Sequence, residues 1–204
     1  MPVYLSEEMF GRDASCIGFP NLQLCIGIVI VSRNGLFGIH SSSLNGSQDS
    51  LRAFHGFCEE RGLASDGVTS IIAAADTRAR HGGSSQSLEA ELRLVCTQFG
   101  YRGEVLSFDT GQITHDHGIY VEFSQSNASN QKITYKKSEK TVVGEVKPVT
   151  NTLDADVVAY DLRFNKFRST AYPASSVSGR KSRFHTHTGR FHVADGSMLR
   201  RLAL

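Results

Sequence analysis

The sequence predicts an α/β fold, a layered sandwich of two mixed or antiparallel β-sheets flanked by two helices, with a strand-rich C-terminal extension. Continuous β-branched apolar runs at 22–32 and 68–75 are typical of strands buried on both faces. Apolar residues recur at helical spacing at about 48–61 and 86–99. Short segments separated by turn residues follow residue 104 and predict three further strands.

The first strand pair is predicted to be a hairpin. The run 22–32 is followed by Arg33–Gly35, in which Asn and Gly tolerate positive φ, and then by LFGIHSSS as the returning strand. Cys25 lies near the beginning of the first strand and His40 near the end of the second. Because these two ends of an antiparallel hairpin are neighbours, we expect Cys25 and His40 to lie side by side.

Terminal signals support both predicted helices. Ser47 is a good N-cap for the first helix, and Gly62 stands where a C-terminal glycine belongs. A polar loop over 76–85 leads to the second helix, which Gly100 closes.

The texture of the sequence changes after residue 140, where short strand-like segments alternate with polar residues. We therefore expect a domain over 1–140, with 141–204 as a β-rich extension packed on the same domain. From Asp161 onward, nine Lys or Arg residues face only two Asp residues. Such a run is either a solvated face or a basic docking surface for an acidic partner or an anionic membrane.

Bulk properties exclude several classes of protein. A net charge of +2 favours no nucleic-acid partner, and no apolar run reaches the roughly 20 residues of a membrane helix. The N-terminus lacks the basic and apolar regions of a secretory signal. We expect a bacterial cytoplasmic protein, or one delivered to the cytosol of a target cell by another route. The four scattered cysteines indicate reduced thiols.

Neither a metal nor a cofactor is predicted. His115 with His117, and His185 with His187, are spaced so that each pair shares one face of a strand. Carboxylates or cysteines that would complete a metal site are not clustered with them. The sequence contains no glycine-rich phosphate-binding motif.

A thiol and an imidazole are the best candidates for chemistry. A thiol attacks amides as the thiolate, so it needs a base such as His40 beside Cys25, and a third polar group usually fixes the histidine tautomer. The alternative is that Cys25 is a small core residue. Cys16 is a weaker candidate because no histidine follows it at hairpin distance, and Cys58 and Cys96 lie on apolar helix faces.

The stretch CIGIVIVSRNGLFGIHSSS resembles the catalytic segment of the cytotoxic necrotizing factor deamidases and of the chemoreceptor glutamine deamidase CheD. In both groups a cysteine at a strand start is followed, one hairpin later, by a histidine near small hydroxyl residues. The order of IIAAAD, a glycine loop, SLEAELRLVCTQFGYRGEVLSFD and GIYVEF also resembles CheD. The resemblance covers roughly residues 15–135.

The resemblance implies hydrolysis of a protein glutamine, less often asparagine, side-chain amide. Cys25 would form a thioester, His40 would shuttle protons, and backbone amides near Cys25 would stabilise the oxyanion. A protein that presents an exposed Gln or Asn is the expected partner. Transglutamination is a variant of the same chemistry.

This sequence departs from CheD at three places. Gln23-Leu24 stands where CheD has Gly-Ser, and Gln86-Ser87 where it has Arg-Asn. Phe19 occupies the position of its catalytic threonine, so either Asn21 or Ser15 would have to orient the histidine. With the C-terminal extension, these differences favour an effector or toxin-type enzyme over a CheD-type chemoreceptor-modifying deamidase. A non-catalytic, partner-binding adaptor on the same fold is the alternative of a different class.

Overall fold

The structure is a computed structural model, and strands dominate the part of the chain that it describes. The described residues are 3–5, 7, 9–42, 44, 48–64, 66–113, 117–127, 130–138, 140–143, 158–161, 166–167, 183–186, 192–194 and 198–204. For some of them, Asn21 among them, only the backbone is described.

The strands and helices of these residues follow one another in a mixed order. The strands are β1 (Val3–Tyr4), β2 (Met9–Asp13), β3 (Cys16–Leu22), β4 (Ile26–Ser32), β5 (Gly35–Ser41), β6 (Val68–Ala75), β7 (Glu104–Asp109), β8 (His117–Asn127), β9 (Asn130–Ser138), β10 (Lys140–Val143), β11 (Val158–Asp161), β12 (Lys166–Phe167), β13 (Arg183–Thr186), β14 (His192–Val193) and β15 (Leu199–Ala203). The helices are α1 (Gln48–Glu60), α2 (Thr77–His81) and α3 (Ser85–Gln98), with a short 3₁₀ turn at Thr110–Gln112.

Two larger sheets organise the fold. One has the strand order β12-β11-β2-β5-β4-β6-β7-β15, and the other has the order β1-β3-β8-β9-β14. In the eight-stranded sheet only β6 and β7 run parallel, and α2 and α3 lie on the crossover between them. The coarse prediction of an α/β chain with more than one β-sheet is therefore confirmed. A separate antiparallel pair joins β10 to β13.

The central strand β4 is buried on both faces, which explains its continuous apolar sequence. Ile26, Ile28 and Ile30 belong to a core that also contains the apolar faces of α1 and α3. Val29 and Val31 belong to a second core, which contains residues of β3, β8 and β9 from the other sheet. The same strand thus contributes alternate side chains to two hydrophobic cores.

The predicted strand over 22–32 is wrong at its beginning. Leu22 ends β3, residues 23–25 form a bend, and β4 begins only at Ile26. Leu22 is fully buried whereas Leu24 is 60% exposed, so the apolar run in the sequence hides a change of chain direction.

The loop predicted over 76–85 contains the helix α2. Asp76 caps its N-terminus by accepting a hydrogen bond from the Ala79 amide at 2.9 Å. Gly82 closes its C-terminus in the left-handed conformation, with φ of 58°. An Asp cap and a terminal glycine were present in the sequence, but five residues are too few to show helical spacing.

Strands of the C-terminal segment join both larger sheets. β15 pairs with β7 and β11 pairs with β2, while β14 pairs with β9. The boundary at residue 140 stays a prediction, and most of the basic residues after Asp161 lie outside the described part of the chain. None of the helices in the described segments has the length and apolar character that crossing a membrane requires.

Candidate active site

Cys25 and His40 lie at the same end of the central strands β4 and β5, on the face that packs against the other sheet. In the β4–β5 hairpin Gly27 pairs with His40, and Ile26 pairs with Ser41. Cys25 precedes Gly27 by two residues, so it continues the face that carries the His40 side chain. This face is covered by the other sheet, where Cys25 belongs to the second core. The predicted neighbourhood of the two residues is thus consistent with the hairpin register.

The His40 ring is oriented by a backbone carbonyl. Its Nδ1 lies 2.8 Å from the carbonyl oxygen of Leu5, and because a carbonyl can only accept, Nδ1 carries the proton. The other nitrogen, Nε2, is then the acceptor of the neutral ring. It is buried, and no described residue forms a hydrogen bond with it.

The environment keeps the imidazole neutral. Burial lowers the pKa of His40 to about 4, the bond to the Leu5 carbonyl opposes this shift, and the positive charge of Arg80 adds to it. His40 is only 1% exposed. At neutral pH the ring therefore presents an unprotonated Nε2, which is the form that a general base requires.

Phe19 packs against this ring and depends on a glycine to do so. The Phe19 and His40 rings meet edge to face with centroids 5.7 Å apart. A Cβ atom on Gly27 would lie 2.8 Å from two atoms of the Phe19 ring. Phe19 cannot donate or accept the hydrogen bond that a threonine could, and the Leu5 carbonyl occupies Nδ1 instead.

Asn21 and Ser15 are the two residues that the sequence offers for the orienting role. Asn21 lies in β3, but its side chain is outside the described part of the structure, so its role stays a prediction. Ser15 is at the other end of β3 from the bend at 23–25, where its amide and hydroxyl both donate to the Asp13 carboxylate. Asp13 pairs with Leu36, at the opposite end of β5 from His40. Ser15 therefore does not reach the ring.

The thiol lies directly beneath the protein surface. Cys25 is 6% exposed, while Gln23 and Leu24 before it are exposed. Leu24 is the large apolar side chain with the greatest exposure in the described part of the chain. A polypeptide that approaches Cys25 from this side would contact Leu24 first.

A buried ion pair between α2 and α3 adjoins the site, and the sequence reasoning missed it. Arg80 donates to the Glu91 carboxylate through Nε at 2.9 Å and Nη2 at 2.7 Å. Its Nη1 donates to the carbonyls of Leu24 and Ser42, each at 2.6 Å. Glu91 was the available signal, because it stands on the apolar face of its helix between Leu88 and Leu92.

Two carboxylates near the same ends of the strands stabilise turns. Asp76 follows β6 and caps α2, as described above. Asp109 ends β7 and accepts hydrogen bonds from the amides of Gly111 at 3.1 Å and Thr77 at 3.2 Å. They hold the turns beyond the two parallel strands, which explains the burial of Asp76 without assigning chemistry to either residue.

The remaining cysteines do not resemble nucleophiles. Burial and the neighbouring Glu122 carboxylate raise the pKa of Cys16 far above its usual value. Cys58 and Cys96 are core residues, as predicted, and burial raises the pKa of both thiols.

The described residues contain no group of three His, Cys, Asp or Glu side chains that could hold a metal ion. The side chains of His115, His117, His185, His187 and His192 lie outside that part of the chain. No protein-family model matches the sequence, and no curated protein matches it either.

Proposed function

We propose that this chain is a cysteine-dependent protein deamidase, which hydrolyses the side-chain amide of a glutamine, or less often an asparagine, on a target protein. The observation that carries the proposal is the state of His40. Its Nδ1 proton is bound to the Leu5 carbonyl, and Nε2 is left as an acceptor on the face shared with Cys25. A thiol next to such an acceptor can be deprotonated as it attacks.

The reaction needs the Cys25 and His40 side chains, the substrate amide and one water molecule. His40 Nε2 takes the Cys25 proton while Sγ bonds to the amide carbon of the substrate. The imidazolium then protonates the amide nitrogen, the C–N bond breaks, and ammonia leaves a thioester. His40 next removes a proton from water, which attacks the thioester carbon. The C–S bond breaks, and the returning proton restores the thiol.

The low pKa of His40 decides how the proton moves. With a pKa of about 4, His40 is neutral near pH 7 and does not hold the Cys25 proton in the resting state. Proton transfer accompanies attack, and the Leu5 carbonyl then stabilises the transient imidazolium through Nδ1. A backbone carbonyl therefore serves as the third group of the proposed site.

The finer fold assignment is part of the proposal. We propose a CheD-like layered sandwich in which two packed sheets form one core and the two longer helices flank the other side. Its support is that one core combines residues from both sheets, while the other combines β4 with α1 and α3. An effector-type role and a protein substrate remain proposals that depend on the same site.

The burial of the pair favours a second candidate function. With His40 1% and Cys25 6% exposed, both side chains would also suit a packed, non-catalytic core. In that case the exposed Leu24 would belong to the docking surface of a partner-binding adaptor.

Deamidation of a flexible, glutamine-rich protein separates the two candidates. Casein is incubated with wild type, Cys25→Ser and His40→Ala, and released ammonia is measured together with the mass gain of glutamine peptides in ¹⁸O-labelled water. We expect activity in the wild type only, with circular dichroism unchanged in both variants. Cys58→Ser serves as the matched control, because Cys58 lies in the other core. Equal signals in wild type and Cys25→Ser would reject the enzyme.

A further inference from the structure

The backbone ladder between β4 and β5 includes His40 but stops one residue short of Cys25. The last paired residues at this end of the two strands are Ile26 and Ser41. Cys25 lies in the bend, one residue before Ile26. Contacts from outside the two strands therefore bear on its position relative to His40.

Arg80 supplies a contact to both chain segments. One nitrogen, Nη1, donates to the carbonyl of Leu24, which belongs to the peptide that enters Cys25. The same nitrogen donates to the carbonyl of Ser42, two residues after His40. Both distances are 2.6 Å, so a single guanidinium group bridges the segments where the strand ladder has stopped.

Glu91 fixes the orientation of the guanidinium. Its two carboxylate oxygens accept from Nε and Nη2 of Arg80 in a forked, two-bond arrangement. Glu91 is 2% exposed, and its Oε1 also lies 3.4 Å from the Leu44 amide. Helix α3 thereby holds Arg80, and Arg80 holds the two backbone segments of the candidate site.

Arg80 contributes both charge and geometry to this arrangement. Its charge adds to the lowering of the His40 pKa, and the Glu91 carboxylate, within 3 Å of the guanidinium, opposes that charge. Only the geometric contribution places the Leu24 and Ser42 carbonyls relative to each other, because both accept from the same nitrogen. A lysine would keep the charge but could not fork to Glu91 and bridge both carbonyls together.

We propose that Arg80, held by Glu91, is a positioning residue that sets the Cys25 thiol relative to His40 by bridging the carbonyls of Leu24 and Ser42. This inference rests on the proposed function for its catalytic meaning. It would remain testable without that function, because it concerns the environment of the Cys25 thiol.

The test compares Arg80→Lys with Arg80→Met and measures the rate of iodoacetamide reaction at Cys25 from pH 5 to 10 by peptide mass spectrometry. We expect both variants to shift the Cys25 profile alike, since neither can form the bridge. In the casein assay kcat should fall roughly 100-fold, as for a displaced reacting group, with KM unchanged. Arg93→Lys, an exposed position on α3, is the matched control and should behave as wild type.

Glu91→Gln is the second variant, since it retains Arg80 but weakens the fork, and should shift the profile in the same direction. A wild-type profile in Arg80→Lys beside a shifted profile in Arg80→Met would overturn the inference in favour of charge. The same profile in wild type and every variant, including a thiol that reacts in none of them, would overturn it outright. Absence of deamidation in the wild type, with the Cys25 profile still shifted in the variants, would reject the proposed function and leave the positioning role standing.

Discussion

His40 donates its Nδ1 proton to the carbonyl oxygen of Leu5 across 2.8 Å, which ties the end of β5 to a residue 35 positions earlier in the chain. This bond fixes the tautomer of the ring and leaves Nε2 as its only acceptor. The proposed chemistry depends on that asymmetry, and so do the pH effects that follow.

Stability should fall with acid because of His40. The pKa of this residue is about 4 in the folded chain and about 6.5 when unfolded, so the unfolded state binds more protons between these values. Its contribution is fully present above pH 6.5 and is lost as the pH falls towards 4. Between pH 7 and pH 5, wild type should lose about 2 kcal/mol more than His40→Asn, measured by urea unfolding. An equal loss in both proteins would contradict the neutral, buried ring.

Gly27→Ala should loosen the contact between Phe19 and His40. The new Cβ would lie 2.8 Å from the Phe19 ring, so the ring must shift, at a cost of about 1–3 kcal/mol. Chemical denaturation measures this loss. Gly56→Ala on α1 is the matched control, because the described atoms leave open space there. It should stabilise by about 0.5–1 kcal/mol. A stabilising effect of Gly27→Ala would contradict the close packing.

Cys16→Ser should leave activity intact. The Cys16 thiol remains protonated because burial and Glu122 raise its pKa, so it cannot supply the nucleophile near neutral pH. Ammonia release from casein at pH 7.5 measures this variant beside Cys25→Ser. Loss of activity in Cys16→Ser, with the fold retained, would show that the nucleophile had been assigned to the wrong cysteine.

Breaking the Arg80–Glu91 pair should cost more than removing it. Glu91→Leu alone leaves the Arg80 charge buried without its partner, which should destabilise by about 3–5 kcal/mol. Adding Arg80→Met removes that charge, so the double variant should regain part of the loss in urea unfolding. If the double variant loses as much stability as Glu91→Leu and Arg80→Met lose together, the two residues do not act as a pair.

The local patterns of the sequence located the central strands and the two longer helices. β6 and β7 coincide with the predicted runs, since their apolar residues carry the signal themselves. β2 and β3 escaped prediction because their sequences mix glycine and polar residues, and β3 contains Pro20. These two strands form because they pair with strands that are distant in the sequence, β2 with β5 and β3 with β8. The register of β3 shifts near Pro20, which has no amide proton to donate.

The same distinction applies to the candidate site. The hairpin turn after Ser32 was enough to predict the pairing of β4 with β5, in which Gly27 lies opposite His40, because a hairpin is a local structure. The carbonyl of Leu5 and the bridge made by Arg80 connect residues that are 35 and 56 positions apart from their partners. Every residue has a backbone carbonyl, so no pattern of residue types could have predicted which carbonyls accept these hydrogen bonds.

The central claim is that His40 activates the Cys25 thiol, and the reaction of Cys25 with iodoacetamide at pH 7 tests it most directly. His40→Asn is the informative variant, because its amide can still donate to the Leu5 carbonyl while the Nε2 base is lost. We expect at least a tenfold slower reaction at Cys25 in this variant, with the unfolded proteins reacting equally, as for the loss of a general base. Equal rates in the two folded proteins would contradict the claim.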